Sequence, residues 1–164
     1  MKTLLLALLL LVGCSSTTRT APAVEAADAF GAAPGAFLAL SVADMDRVLP
    51  FYRDTLGFKV FSEGTAPHRP IRFALLQHGT ALIELLQFPD AKPLKEAAPD
   101  TPYPHQIHGF FKGGFVVADI DSLYRKMQSM NVERSYELGK SAGGPYRTFG
   151  IRDPEGNLLQ IFGR

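Results

Sequence analysis

A chain that holds a metal ion must bring several deprotonated nitrogen or oxygen donors to one point, so the four histidines are read first. His105 and His108 stand three apart, close enough to share an ion. His68 follows Pro67 in a loop, and His78 lies in the turn "HGT". No pair falls on one helical face and none has a carboxylate at motif spacing. Loop histidines in such settings are mostly solvated. One carboxylate, Glu84, sits inside the apolar run "ALIELLQF" (81–88), Lys112 opens "KGGFVVAD" (112–119), and Gln160 lies in "NLLQIF" (157–162). Arg147 and Arg152 flank the last hairpin, placed either to meet an anionic ligand or to form surface ion pairs. "GKSAGGPY" (139–146) holds a Gly-Lys-Ser but lacks the upstream glycine of a phosphate loop. No serine, nor the single cysteine, has a histidine and an acid at a spacing that nucleophilic catalysis would need.

The elements that position these residues come in a repeated order. "LSVADMDRVL" (40–49) matches "FVVADIDSLY" (115–124), and each marks a strand running into an Asp-capped helix. After the first copy, Val48, Phe51, Tyr52, Thr55 and Leu56 recur at helical spacing up to Gly57, with Pro50 expected to disturb the first turn. Strands follow at 58–63, 71–77 and 81–88. After the second copy come a helix over 120–130 and strands at 132–138, 146–152 and 157–162, the last two joined by "DPEG". The spacing therefore predicts two βαβββ modules, 36–88 and 112–164, joined by a Pro-rich linker over 89–111. Tyr103, Gly109, Phe110, Phe111, Gly113 and Gly114 at that junction make the stretch either a lid or a plain connector.

The first residues are an address rather than a fold. Lys2 is followed by an apolar run from Leu4 to Val12, far short of the roughly 20 residues a spanning helix needs. This reads as a secretory signal segment over 1–13. "LVGC" resembles the lipobox of bacterial lipoproteins, which implies cleavage before Cys14 and a lipid on its sulfur. Residues 14–35 then form a flexible tether of about 20 residues reaching on the order of 25 Å. The expected home is the cell envelope, on the periplasmic side or the extracellular face, with Ser15 favouring an outer membrane by analogy. Loss of Lys2 would leave 16 basic against 16 acidic residues, a neutral balance that argues against nucleic-acid binding. A lone cysteine allows no intrachain disulfide.

"SVADMDRVLPFYRDTLGFKV", with "FVVADID" and "IRDPEGNLLQIF", resembles the glyoxalase, bleomycin-resistance and extradiol-dioxygenase (vicinal oxygen chelate) superfamily over 36–164. The resemblance implies an α+β fold of two tandem βαβββ modules whose mixed sheets form an open cup with the helices outside. It also implies a small-molecule site in the cup and a tendency to form homodimers. Metal-using members place ligands at four positions, which match Phe37, Glu84, Lys112 and Gln160 here. Phenylalanine has no donor and an ammonium repels a cation, so no metal cofactor is expected. Should a divalent metal bind, Glu84 and Gln160 with His105 or His108 are the candidates.

Strand alternation assigns Phe37, Ala39, Leu82, Glu84, Lys112, Leu158, Gln160 and Phe162 to the cup as ligand-binding residues. Lys112 is expected to pair with Glu84 where the metal would stand. The leading reading is a lipid-anchored envelope protein that binds a small, partly apolar ligand without the usual metal. The alternatives are a lyase, isomerase or dioxygenase, with Glu84 as base and Lys112 as electrophilic partner, and a non-catalytic envelope adaptor.

Overall fold

The computed structural model describes residues 35, 37–101, 104–106, 108, 111–142 and 144–164. The expected signal segment, Cys14, the tether apart from Gly35, and Tyr103, Gly109 and Phe110 lie outside the described residues. No described helix is long and apolar enough to cross a membrane.

Strand β1 (Phe37–Ser41) alternates half-buried Leu38 and Leu40 with exposed Phe37, Ala39 and Ser41. Asp44 then stops the strand and starts helix α1 (Met45–Pro50), its carboxylate accepting from the Asp46 and Arg47 amides at 3.0 and 3.3 Å. Pro50 does not spoil the first turn. The ring brings no N–H and crowds the carbonyl one turn back, so the relief comes after it. Phe51–Thr55 widens into a π-helical turn, in which the Leu56 amide donates to the Phe51 carbonyl five residues back at 3.1 Å. The chain leaves through Gly57 at φ +80°, a left-handed conformation that favours glycine.

Strands β2 (Lys59–Thr65), β3 (Arg72–His78) and β4 (Ala81–Gln87) complete the first sheet in the order β1-β4-β3-β2. A short helix α2 (Leu94–Ala97) and a turn at Pro104–Gln106 occupy the connecting stretch. The order then repeats as β5 (Gly113–Val116), α3 (Ile120–Ser129), β6 (Arg134–Lys140), β7 (Arg147–Arg152) and β8 (Leu158–Gly163), with sheet order β5-β8-β7-β6. This is the expected α+β fold of two βαβββ modules. In each sheet the first strand runs parallel to the last, with Ala39 opposite Glu84 and Gly114 opposite Gln160.

The helix-side faces supply one shared core: Leu76, Ile83 and Leu85 from the first sheet, Phe149, Ile151, Leu159 and Ile161 from the second, and Val48, Tyr52, Ile120 and Met127 from the helices. The two sheets are separate ladders, and β1 meets β5 through a side chain. Leu38 fills the space over Gly113, where a Cβ would come within 2.5 Å of its Cδ2.

The modules differ in one turn. Between β3 and β4 only Gly79 and Thr80 intervene, whereas Asp153–Asn157 intervene between β7 and β8. The longer turn reaches into the other module. Ala43 N–H donates to both Glu155 oxygens at 2.9 Å, Asp44 N–H donates to Oε1 at 2.9 Å, and Arg47 reaches the Pro154 carbonyl at 2.7 Å. A carboxylate thus sits on the free amides that precede α1.

Candidate functional site

The faces turned away from the helices carry the residues that alternation assigned to the cup, apart from Lys112, which precedes β5. Glu84 is half-buried between Leu82 and Leu86 on its own strand, opposite Ala39 on β1 and Leu75 on β3. Its carboxylate has no hydrogen-bond or ion-pair partner among the described residues. Phe37, two residues before the partner of Glu84 on β1, is 69% exposed. The first module therefore offers an open apolar surface around one carboxylate.

The expected ion pair between Glu84 and Lys112 does not form. Lys112 is exposed, and its ammonium lies over the Phe111 ring, 5.2 Å from the centroid. The residue precedes the first hydrogen-bonded position of β5, so no ladder fixes its direction. Resting on a neighbouring ring in water costs less than carrying an ammonium onto an apolar face.

The second module presents a more polar surface. Gln160 Nε2 donates to Thr148 Oγ1 at 3.0 Å, and that hydroxyl is 3.1 Å from Tyr136 Oη. The Tyr136 ring lies where a side chain at Gly150 would be, so the glycine admits it. Leu158 and Phe162 flank Gln160, with Phe162 packed edge-on to Tyr146 at 6.3 Å between centroids. Sequence reading missed Tyr136 and Thr148. Thr148 alternates with core residues Phe149 and Ile151, so the period alone could have placed it. The bulges in β6 hide Tyr136 from any such count.

A metal does not fit these residues. Phe37 has no donor and Lys112 is a cation, so of the four positions only Glu84 and the weak neutral oxygen of Gln160 remain, fewer than the three or more protein donors a divalent ion takes. His105 and His108 are exposed, His105 lying 6.5 Å from the Phe111 ring. Among the described residues no three His, Cys, Asp or Glu side chains gather as a ligand set. Arg147 pairs with Asp121 at 2.6 Å, and Arg152 with Glu133 at 3.6 Å, so both arginines serve as surface ion pairs.

Two other features were not foreseen. Tyr52 is fully buried and its hydroxyl donates to Asp153 Oδ2 at 3.1 Å. Burial, with the Asp153 carboxylate beside it, pushes the phenol well above its ordinary range. A cavity of about 800 Å³ also opens at the far end of β1, touching Phe37 and Leu82 but none of Glu84, Lys112 or Gln160.

Residues 36–161 match the model for the glyoxalase, bleomycin resistance protein and dioxygenase superfamily. The chain belongs to that superfamily. Among solved structures, it is similar to the protein SMU.1112c at 22% identity and a TM-score of 0.62, over 77% of this chain and 95% of that one. It is similar to a glyoxalase family protein from Enterococcus faecalis at 19% identity and TM-score 0.62, over 79% and 94% of the two chains. It also resembles the trypanothione-dependent glyoxalase I of Leishmania major at 21% identity and TM-score 0.56, over 77% and 84%. Identities this low speak for the fold alone. No curated protein matches the chain.

Proposed function

We propose that this superfamily member is a lipid-anchored envelope protein that binds a small, partly apolar ligand in its cup, without the metal site of its metal-using relatives. The observation that carries the reading is Glu84, a half-buried carboxylate without a described partner among Leu82, Leu86, Leu75 and Ala39. A carboxylate left unpaired on an apolar surface is a polar handle for a ligand, and the leucines with Phe37 receive the ligand's apolar body. The ligand class that suits it carries an N–H donor or a cationic nitrogen on a hydrophobic frame. Gln160, with its oxygen not spent on Thr148, offers a second acceptor. The anchor rests on the apolar run from Leu4 to Val12 and on "LVGC" ending at Cys14.

The test is a metal assay and a ligand screen on the full chain, purified without a histidine tag. Substoichiometric metal that Glu84→Ala leaves unchanged is expected, with melting temperature raised by hydrophobic amines and that rise lost in Glu84→Gln. Stoichiometric zinc, nickel, iron or manganese that disappears in Glu84→Ala would overturn the reading and make the protein a metal-dependent enzyme. Incorporation of labelled palmitate that Cys14→Ser abolishes checks the anchor, and no incorporation sinks it.

A further inference from the structure

The two modules repeat the same junction, yet only one copy of it is filled. Before α1, Ala43 and Asp44 amides hold the Glu155 carboxylate. The corresponding residues before α3 are Ala118 and Asp119, seventy-five positions on. The turn that would reach them is the short Gly79–Thr80, which brings no carboxylate, and no described residue accepts from either amide. In place of the missing clamp lies the cavity of about 800 Å³. Phe58, Phe115, Leu123 and Met127 line it, and so do Thr80, Ala118 and Lys126, which are exposed to solvent. Lys126 forms no ion pair among the described residues.

We infer that this cavity is a second binding site, adjoining the cup at Phe37 and Leu82, for a small molecule with an apolar body and a carboxylate head. The volume lies within the roughly 300–1,000 Å³ of small-molecule pockets. The filled junction supplies the chemistry of the head. The same backbone arrangement elsewhere in this chain holds a carboxylate at 2.9 Å, and here a lysine lines the cavity instead of a competing acid. The aromatic and aliphatic walls take the body, since burying apolar surface is the main favourable term such a ligand can gain.

Octanoate is a suitable probe, with octanamide and acetate as its neutral and tail-less counterparts. Of the four methionines, Met127 is buried at the cavity wall and Met45 is buried in the other module, so methyl-labelled methionine reports where the probe goes. Titration into the full chain is expected to move the Met127 methyl resonance saturably and leave that of Met45 in place. Octanamide and acetate should bind more weakly, and Lys126→Gln should weaken octanoate by about fivefold at low ionic strength. A Met127 resonance indifferent to octanoate overturns the site. Equal binding of octanoate and octanamide, unchanged by Lys126→Gln, overturns the carboxylate head. A resonance that shifts on dilution of the protein, and not with the probe, makes the occupant a second copy of the chain and likewise overturns the proposal.

Discussion

Lys112 and Glu84 show what a residue's type and strand position can and cannot say. Alternation put Glu84 on the right face of β4 and Gln160 on the right face of β8, because the side-chain period of a strand is fixed. It could not say which partner each would choose. Lys112 lies outside the ladder and takes the ring next to it. Tyr52 makes the opposite point, since helical spacing marked it for burial but gave no hint of Asp153. Its raised hydroxyl has a consequence for pH. The unfolded phenol releases its proton near pH 10 while the folded one keeps it, so the contribution is complete below that pH and is lost above it. Urea unfolding at pH 10 to 11.5 should show stability falling more steeply than in Tyr52→Phe, by up to about 1.4 kcal/mol per pH unit. Parallel slopes for the two proteins would remove Tyr52 from the account.

At the scale of elements, the turn Asp153–Asn157 does more than join two strands. Asp153 Oδ1 accepts from the Glu155 and Asn157 amides at 2.9 Å, which shapes the turn so that Glu155 points at α1. Glu155 is 12% exposed in its side chain, and three backbone amide contacts and Arg47 converge on it. Glu155→Ala is expected to cost about 1–3 kcal/mol in urea unfolding, because charged acceptors on backbone donors are among the stronger hydrogen bonds. Hydrogen exchange should locate the loosening at α1 rather than in the sheets. Unchanged protection of the α1 amides would deny the turn this role. "DPEG" was legible as a turn. Its reach across the molecule was not, because turn chemistry specifies a local bend and says nothing about what lies opposite it.

At the scale of the whole molecule, one of the joints between the modules is where Leu38 meets Gly113. Gly113→Ala should cost about 1–3 kcal/mol, the ordinary penalty for overfilling a packed contact. In a Leu38→Ala background most of that penalty should vanish, since the added methyl enters space the leucine has left. Additive effects of the two substitutions would mean that Leu38 does not fill the space over Gly113.

By itself the sequence determined the element order, the doubling of the βαβββ unit, the two Asp-capped helix starts and the face on which the residues of the unbulged strands lie. These follow from periods of 2 and 3.6 and from capping chemistry, all of which act over a few residues. The repeat at 42–46 and 117–121 gave the equivalence of the halves. Only the tertiary structure decided that Glu84 stands without Lys112, that Gln160 is held by Thr148, and that a carboxylate fills the junction before α1 while the one before α3 is left open. They depend on which groups the folded chain brings within 3 Å or so, across 12 residues for Gln160 and Thr148 and 111 for Asp44 and Glu155, and on the length of one turn. Short-range pattern carries no record of such distances, because they are set by how the two sheets and their helices pack around a common core.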